Sequence, residues 1–283
     1  MRPQGSAASR NDLASPVLAA APNIFRLVTR FIDKTLVITE LEVRKLRHDF
    51  TELVTRAIQP ILWLLLFGEV FTKVRGVSTG DVPYLDFMAP GILAQSVLFV
   101  AIFYGIAIIW ERDLGIVHKF LASPTPRGAL VLGKALSAGI RSVSQAVIIY
   151  LLAFLLGVDM NWTVPALLGV IATVILGAAL FSTFSLIIAS VVKTRERFMG
   201  MGQALTMPLF FASNAIYPIS MMPRWLQLIS HANPLTYQVD ALRALMLARG
   251  TSGFGFGLDF IVLLAFTVLA VIVGARLYPN VVT

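Results

Sequence analysis

The chain contains no cysteine, so it has neither a disulfide framework nor a thiolate metal site, and cysteine usage leaves the redox compartment undetermined. Histidine is scarce too: His48, His118 and His231 stand too far apart in sequence to make a ligand cluster by spacing. Charge is the third scarcity. Charged residues make up 13% of the chain against 57% hydrophobic, which is far from the balance of a soluble domain and points to an integral membrane protein. The motifs of self-sufficient catalysis are missing as well. No Gly-x-x-x-x-Gly-Lys-Ser/Thr loop is present to cradle phosphates, and the glycine-rich run from Gly250 to Gly257 lacks the lysine. There is no His-Glu-x-x-His pair, no Gly-x-Ser-x-Gly turn and no carboxylate pair set in an expected pocket. No catalytic residue and no metal ligand are assigned, and an enzyme is not expected.

What the chain has instead is apolar runs. Six of them, at 54–71, 87–110, 135–158, 164–192, 199–219 and 258–275, approach the roughly 20 residues that a spanning helix needs. The expected fold is therefore an all-α integral membrane protein with six transmembrane helices, and six spans put both termini on one side. Of the 23 Lys and Arg, 18 fall on the side of the termini and five on the other, so both termini are expected in the cytoplasm. The net charge of +8 flanks the apolar runs without forming one basic face, which argues for topology and against nucleic acid as a partner.

Residues 1–22, rich in Ser, Ala and Pro, have the composition of a disordered cytoplasmic tail. They do not make a secretion signal, because the apolar core at 18–21 is too short. Within 23–53, Ile32, Leu36, Val43, Leu46, Phe50 and Leu53, with Thr39 filling the gap, recur at helical spacing opposite Lys34, Glu40, Arg44, Lys45 and Arg47. That pattern suits an amphipathic interfacial helix whose basic side chains reach lipid phosphate, or a coiled-coil segment. The six-span domain then occupies 54–283.

The central parts of the expected spans carry no Asp, Glu, Lys, Arg or His, with Arg56, Glu69, Arg141, Asp259 and Arg276 placed near span ends. An ion-coupled transporter needs an intramembrane group to hold its ion, and none is evident. Neutral polar residues remain: Gln95, Gln145, Gln203 and Asn214, with Ser182, Thr183 and Ser185. Such groups more often bond helix to helix than contact a solute. With Phe99 and Phe103, the Gln and Asn residues are the candidates for a substrate path.

Two polar segments interrupt the apolar runs. In 111–134, Leu114, Val117, Phe120 and Leu121 fall at helical spacing, so a short amphipathic helix is expected there as a docking handle, or else a solvated loop. In 220–250 two short helices are expected. Pro223 opens the first; Asn233 caps the second, with Pro234 at its first position, and Gly250 ends it. Leu235, Val239, Leu242 and Met246 make an apolar stripe, Asp240 and Arg243 are spaced to pair, and both helices are expected to dip into the outer leaflet.

Five stretches in order carry a resemblance: Arg44-Lys45-Leu46-Arg47-His48-Asp49; Gln59 to Gly68; Ala89-Pro90-Gly91-Ile92; Glu111-Arg112 with Phe120 to Pro124 and Gly133-Lys134; and Asn233 to Arg243. Together they resemble the type-2 ABC exporter permeases, in the branch with daunorubicin-resistance and nodulation-factor export subunits. The resemblance implies a homodimer or heterodimer of six-span subunits in the bacterial inner membrane. Each would dock on an ABC ATP-binding subunit, two copies in all, which binds the ATP and Mg; no cofactor is expected in this chain. It also implies an ATPase-coupling segment of Glu111, Arg112, Leu114, Gly115, His118, Lys119, Leu121, Ser123, Pro124 and Arg127. The interfacial helix touches the ATPase too. The family's drug-type members more often carry an acidic residue near His118 or Lys119, which implies a partner surface of different charge here. The implied external gate comprises Tyr217, Pro218, Asn233, Pro234, Tyr237, Asp240 and Arg243. A hydrophobic or amphipathic substrate, drug or lipid, is the expected cargo. Export of polysaccharide or lipid-linked glycan by the same fold, a self-contained channel or secondary transporter, and a non-transporting scaffold are the alternatives.

Overall fold

The structure is a computed structural model and describes residues 24–46, 55, 58–68, 70, 82–123, 125–192 and 194–281. The expected tail at 1–22, the continuation of the interfacial helix beyond Leu46, much of the first apolar run, and Pro124 lie outside those residues. Among the described residues all regular structure is helical, and the one extended pairing is an isolated antiparallel bridge between Met160 and Leu247.

In chain order the helices are α1 (Ile24–Leu46), α2 (Ile58–Phe67), α3 (Tyr84–Asp113), α4 (Ile116–Ala122), α5 (Arg127–Leu155), α6 (Val164–Val191), α7 (Arg195–Phe211), α8 (Arg224–Ala232), α9 (Pro234–Met246) and α10 (Phe256–Leu277). The end of α2, Trp63–Phe67, is π-helical. Four of these are long and apolar enough to cross a membrane: α3, α5, α6, and α10 with its 3-10 extension to Val281. They answer to the second, third, fourth and sixth apolar runs.

The fifth run does not form the continuous helix expected over 199–219. α7 starts at Arg195, where the Thr194 side chain accepts the Arg197 N–H as a cap, and it stops at Phe211 soon after Pro208. Its 17 residues extend about 26 Å at 1.5 Å per residue, at the short end of the lengths that can cross a hydrocarbon core of ~30 Å. Beyond it the chain turns back on itself, with the Tyr217 hydroxyl donating to the Phe211 carbonyl at 2.6 Å.

α6 is the centre of the bundle, packing against α3, α5, α9 and α10. A helix apolar on all sides suits that place, and small residues let its neighbours close in. A Cβ at Gly139 of α5 would press on Ile175, and one at Gly177 would run into Gln238 of α9. The hydroxyls of Thr173 and Thr183 donate back to the Gly169 and Ala179 carbonyls at 2.8 and 2.7 Å, so they enter the apolar interior already satisfied. α10 is the reverse case, with Ile261, Leu264 and Leu269 on its exposed side, the chemistry of a surface solvated by lipid chains.

α1 lies along α5 with an unexpected face inward. The buried positions are Thr35, Ile38, Thr39 and Glu42, whereas Ile32 and Leu36 of the apolar stripe are 50% and 56% exposed. The start of the stripe thus points away from the protein, the face that packs inward is the one bearing Thr35, Thr39 and Glu42, and Lys34, Glu40 and Arg44 stay exposed. Thr39 donates to the Thr35 carbonyl at 2.8 Å and approaches the Gly133 carbonyl at 3.2 Å. Gly133 makes that approach possible, because a Cβ there would come within 2.7 Å of Ile38 and 3.0 Å of the Thr35 carbonyl.

Candidate functional site

One end of the bundle carries α4 and the start of α5. Gly115, with φ of 69°, takes the left-handed turn that separates α3 from α4. The short helix then lies across the bundle with two distinct faces. Val117 is fully buried with Ile38, Ile108, Leu130, Val131, Leu186 and Tyr278, and Phe120 and Leu121 pack onto the same cluster. Leu114 is 68% exposed, and His118, Lys119, Ala122 and Arg127 are exposed beside it. The four apolar residues expected to form one stripe therefore divide: three hold the handle to its own protein, and Leu114 faces outward. Ser123 closes the helix by donating to the Phe120 carbonyl at 2.7 Å.

Beneath α4 is a group of charges taken out of solvent. Lys134 donates to Glu111 at 2.5 Å and lies 3.3 Å from Glu42, and all three are buried. The Tyr104 hydroxyl donates to the second Glu42 oxygen at 2.9 Å and lies 3.1 Å from Ser137. The Phe120 ring sits 5.8 Å from the ammonium, which ties α4 to the ions. Sequence reasoning places Lys134 at the end of the cytoplasmic polar segment and passes over Glu42. The signal available was Glu42's position one turn after Ile38–Thr39. Arg112 and Asp113 extend the polar edge, with Asp113 bound by Arg195 of α7 at 2.7 Å and Arg195 stacked 3.4 Å over Trp110.

Arg141 corrects the view that the spans are free of charge. α5 begins at Arg127 and so places Arg141 at the middle of a 29-residue helix, where a span end was expected. Its guanidinium lies 5.4 Å over the Tyr104 ring, a contact that offsets part of the cost of bringing a cation into apolar surroundings.

A cavity of about 250 Å³ opens between α2, α3 and α7, lined by Gln59, Gln95, Ser96, Phe99, Phe103 and Gln203 among others, with no charged side chain. Four candidates for the substrate path thus come together. Both amide atoms of Gln95 are buried without a partner, and the Phe99 and Phe103 rings stack at 6.0 Å. Gln145 and Asn214 lie elsewhere: Gln145 is buried within α5, and Asn214 is in the turn after α7, where its carbonyl accepts from Arg243 at 2.7 Å.

At the opposite end are α8, α9 and the segment leading to α10. Asn233 caps α9 by accepting the Leu235 N–H, and Pro234 follows at the first turn, as expected of this pair. α9 ends at Met246, ahead of Gly250, because Leu247 leaves to bridge Met160. Leu235, Val239, Leu242 and Met246 are all fully buried, so α9 is an internal helix and not one resting in a leaflet. α8 is the surface member, exposing Trp225, Leu228 and Ile229.

Asp240 and Arg243 do not pair. Asp240 accepts from Ser252 and the Phe254 N–H at 2.8 and 3.0 Å. Arg243 donates to the Phe87 and Asn214 carbonyls and stacks 3.8 Å over the Phe87 ring. Burial pulls the Arg243 guanidinium down to about 10, with Asp240 acting in the opposite sense. Gly91 of Ala89-Pro90-Gly91-Ile92 lets the turn after α7 come this close, because a Cβ there would collide with the Ala215 backbone. Tyr217 and Pro218 sit in the turn after α7, and Tyr237 donates to the His231 carbonyl at 2.8 Å.

Residues 34–247 match the model of the ABC-2 type transporter family. The ycf38 protein of Cyanophora paradoxa is 30% identical over 76% of this chain and 74% of its own length. A daunorubicin resistance ABC transporter permease protein of Streptomyces coeruleorubidus is 26% identical, covering 88% of the chain and 81% of the relative. Nodulation protein J of Bradyrhizobium diazoefficiens is 29% identical, covering 65% and 68%.

Proposed function

The chain belongs to the ABC-2 type transporter family, a transmembrane transport subunit, and from that premise we propose that it exports a hydrophobic or amphipathic molecule, drug or lipid, driven by two copies of a separate ATP-binding chain. The observation that carries this reading is the two-faced α4. Its inner residues are fixed to a buried ion group that joins α1, α3 and α5, while Leu114, His118 and Lys119 stand outward. A displacement imposed on the outer face reaches three helices at once, since a buried charge group has few alternative arrangements. ATP and Mg belong to the partner, and Leu114 is the anchor for it.

In this reading the first and fifth apolar runs complete six spans in a bacterial inner membrane, with both termini and α4 cytoplasmic and α8–α9 outside, and two such chains assemble. The cavity lined by Gln95, Phe99, Phe103 and Gln203 is the substrate route. Its uncharged lining and partnerless amide suit a neutral hydrogen-bonding group on an apolar body.

The test is recovery of a P-loop ATPase with the tagged chain purified from its native membrane. Leu114→Asp is expected to lose it, whereas Glu111→Gln keeps it but no longer couples hydrolysis to export. Recovery of full export with Leu114→Asp would sink the assignment. For orientation, Thr251→Cys reacts with an impermeant thiol reagent added to intact cells, and Ala122→Cys does not.

A further inference from the structure

The Ser252 Oγ lies 2.8 Å from Asp240 Oδ2 on α9 and 2.9 Å from Asp259 Oδ2 in the first turn of α10, and it accepts the Gly255 N–H at 2.7 Å. A hydroxyl has one proton to donate. It cannot serve two carboxylates, so if both were ionised one of them would face the Oγ lone pairs at hydrogen-bonding distance. Asp240 Oδ2 also accepts the Phe254 N–H at 3.0 Å, which identifies it as the acceptor of the group. Asp259 has no such donor. It is fully buried, its Oδ1 has no partner, and no ion pair among the described residues includes it. An ionised carboxylate there would stand uncompensated.

Among the described residues the groups around it offer no cation, and Arg249, just ahead of the 250–255 connection, is exposed and in no ion pair with it. On α9, Asp240 is an anion, Tyr237 donates to the His231 carbonyl, and Arg243 is committed to the Phe87 and Asn214 carbonyls. On α8, the His231 Nδ1 pairs with the Gln227 carbonyl and its ring abuts Phe254. α6 carries no charged residue. α5 carries Lys134 and Arg141, which are held by Glu42 and Glu111 and by the Tyr104 ring, and Arg127, which is exposed at its far end beside α4.

We propose that Asp259 binds a proton and donates it to Ser252, which donates its own to Asp240, so that carboxyl, hydroxyl and carboxylate form a proton-binding site that latches α9 to the start of α10. Every donor and acceptor of Ser252 is then matched. Loss of the proton leaves two carboxylates across one hydroxyl and releases the 250–255 connection, which Phe254 otherwise pins between the His231 and Tyr237 rings. The latch therefore responds to pH on its own side of the membrane. Only the identity of that side, the outside, rests on the proposed topology.

The experiment uses the full chain in lipid nanodiscs, followed by infrared difference spectroscopy and thermal unfolding between about pH 5 and about pH 8, above the ordinary carboxylate range. Wild type is expected to lose a protonated-carboxyl carbonyl band as pH rises; Asp259→Asn lacks the band, and Ser252→Ala shifts it. A proton bound only in the folded state stabilises less as pH rises, so the wild-type midpoint falls relative to that of Asp259→Asn. Asn keeps the shape and supplies an N–H to Ser252, so failure of Asp259→Asn to fold overturns the proposal. So does a wild type without the band, or parallel pH profiles. Stabilisation of wild type but not Asp259→Asn by sodium or calcium chloride at fixed pH replaces the proton by a metal cation and also overturns it. None of these readouts involves transport, so they stand apart from the exporter reading.

Discussion

Two pairs of carboxylates are withdrawn from solvent at opposite ends of this protein. Glu42 and Glu111 share the Lys134 ammonium; Asp240 and Asp259 share the Ser252 hydroxyl. Lysine keeps its charge far above neutral pH, so the first group stays assembled whatever the pH of either compartment. A shared proton is set by the solution around it, so the second group is the one that a rise in pH takes apart. The difference fits what each end is attached to. The lysine group anchors α1, α3 and α5 beneath the outward-facing α4, where the proposed coupling to a partner would need a rigid connection. The hydroxyl group ties a connecting segment to α10, where reversible release is useful.

The largest expected effect comes from removing the cation. Lys134→Met leaves two buried carboxylates facing each other, and breaking a buried ion group in this way costs about 3–5 kcal/mol. Denaturant unfolding of the purified chain in detergent should show it, and a loss below 1 kcal/mol, marking a pair of little consequence, would mean that the group is hydrated. Asp259→Asn, by the same measurement near neutral pH, is expected to be neutral or stabilising, and that contrast is the sharpest form of the comparison.

Packing should separate the two ends next. Gly133→Ala pushes a methyl against Ile38 and the Thr35 carbonyl at the lysine group, and overpacking of this kind costs roughly 1–3 kcal/mol. At the other end, a Cβ on Gly253 meets Asp240 at 3.5 Å, an ordinary contact, so Gly253→Ala should leave the unfolding midpoint unchanged. Equal losses for both would contradict the idea that one end is tightly packed and the other built to open.

A smaller loss is expected from Asn233→Ala, which removes the α9 cap and the amide's bond to the Leu209 carbonyl at 2.7 Å; the cap alone is worth about 1 kcal/mol. Val239→Pro, in the buried middle of the same helix, should be far worse, at ~3 kcal/mol from the helix alone. The least effect belongs to Glu40→Ala, since its pair with Arg44 is 2.7 Å long but lies on the surface, where solvent screens it almost completely.

Much of the fold was legible in residue order. The helices at 84–113, 127–155, 164–191 and 256–277 follow from long apolar runs, and the start of α9 follows from Asn233-Pro234, because each of these signals acts within a turn or two of the chain. The fifth run misled because apolar composition continues past Phe211 while Pro208 and the turn after it end the helix. The handle's location was legible as a polar gap between runs, but its inner and outer faces were not, because the spacing of Leu114, Val117, Phe120 and Leu121 says nothing of the φ of 69° at Gly115 that swings Leu114 out.

The sequence by itself determined that this is a helical membrane protein, and the order of its motifs pointed to the family. Hydropathy and caps are local quantities that survive without a fold. Only the tertiary structure decided which ionisable residues leave solvent and what neutralises them. Lys134 meets Glu42 across 92 residues and Glu111 across 23, and Ser252 gathers Asp240 and Asp259 from separate helices. No periodicity encodes such meetings, because they depend on how the helices cross and on the low polarity that packing creates between them.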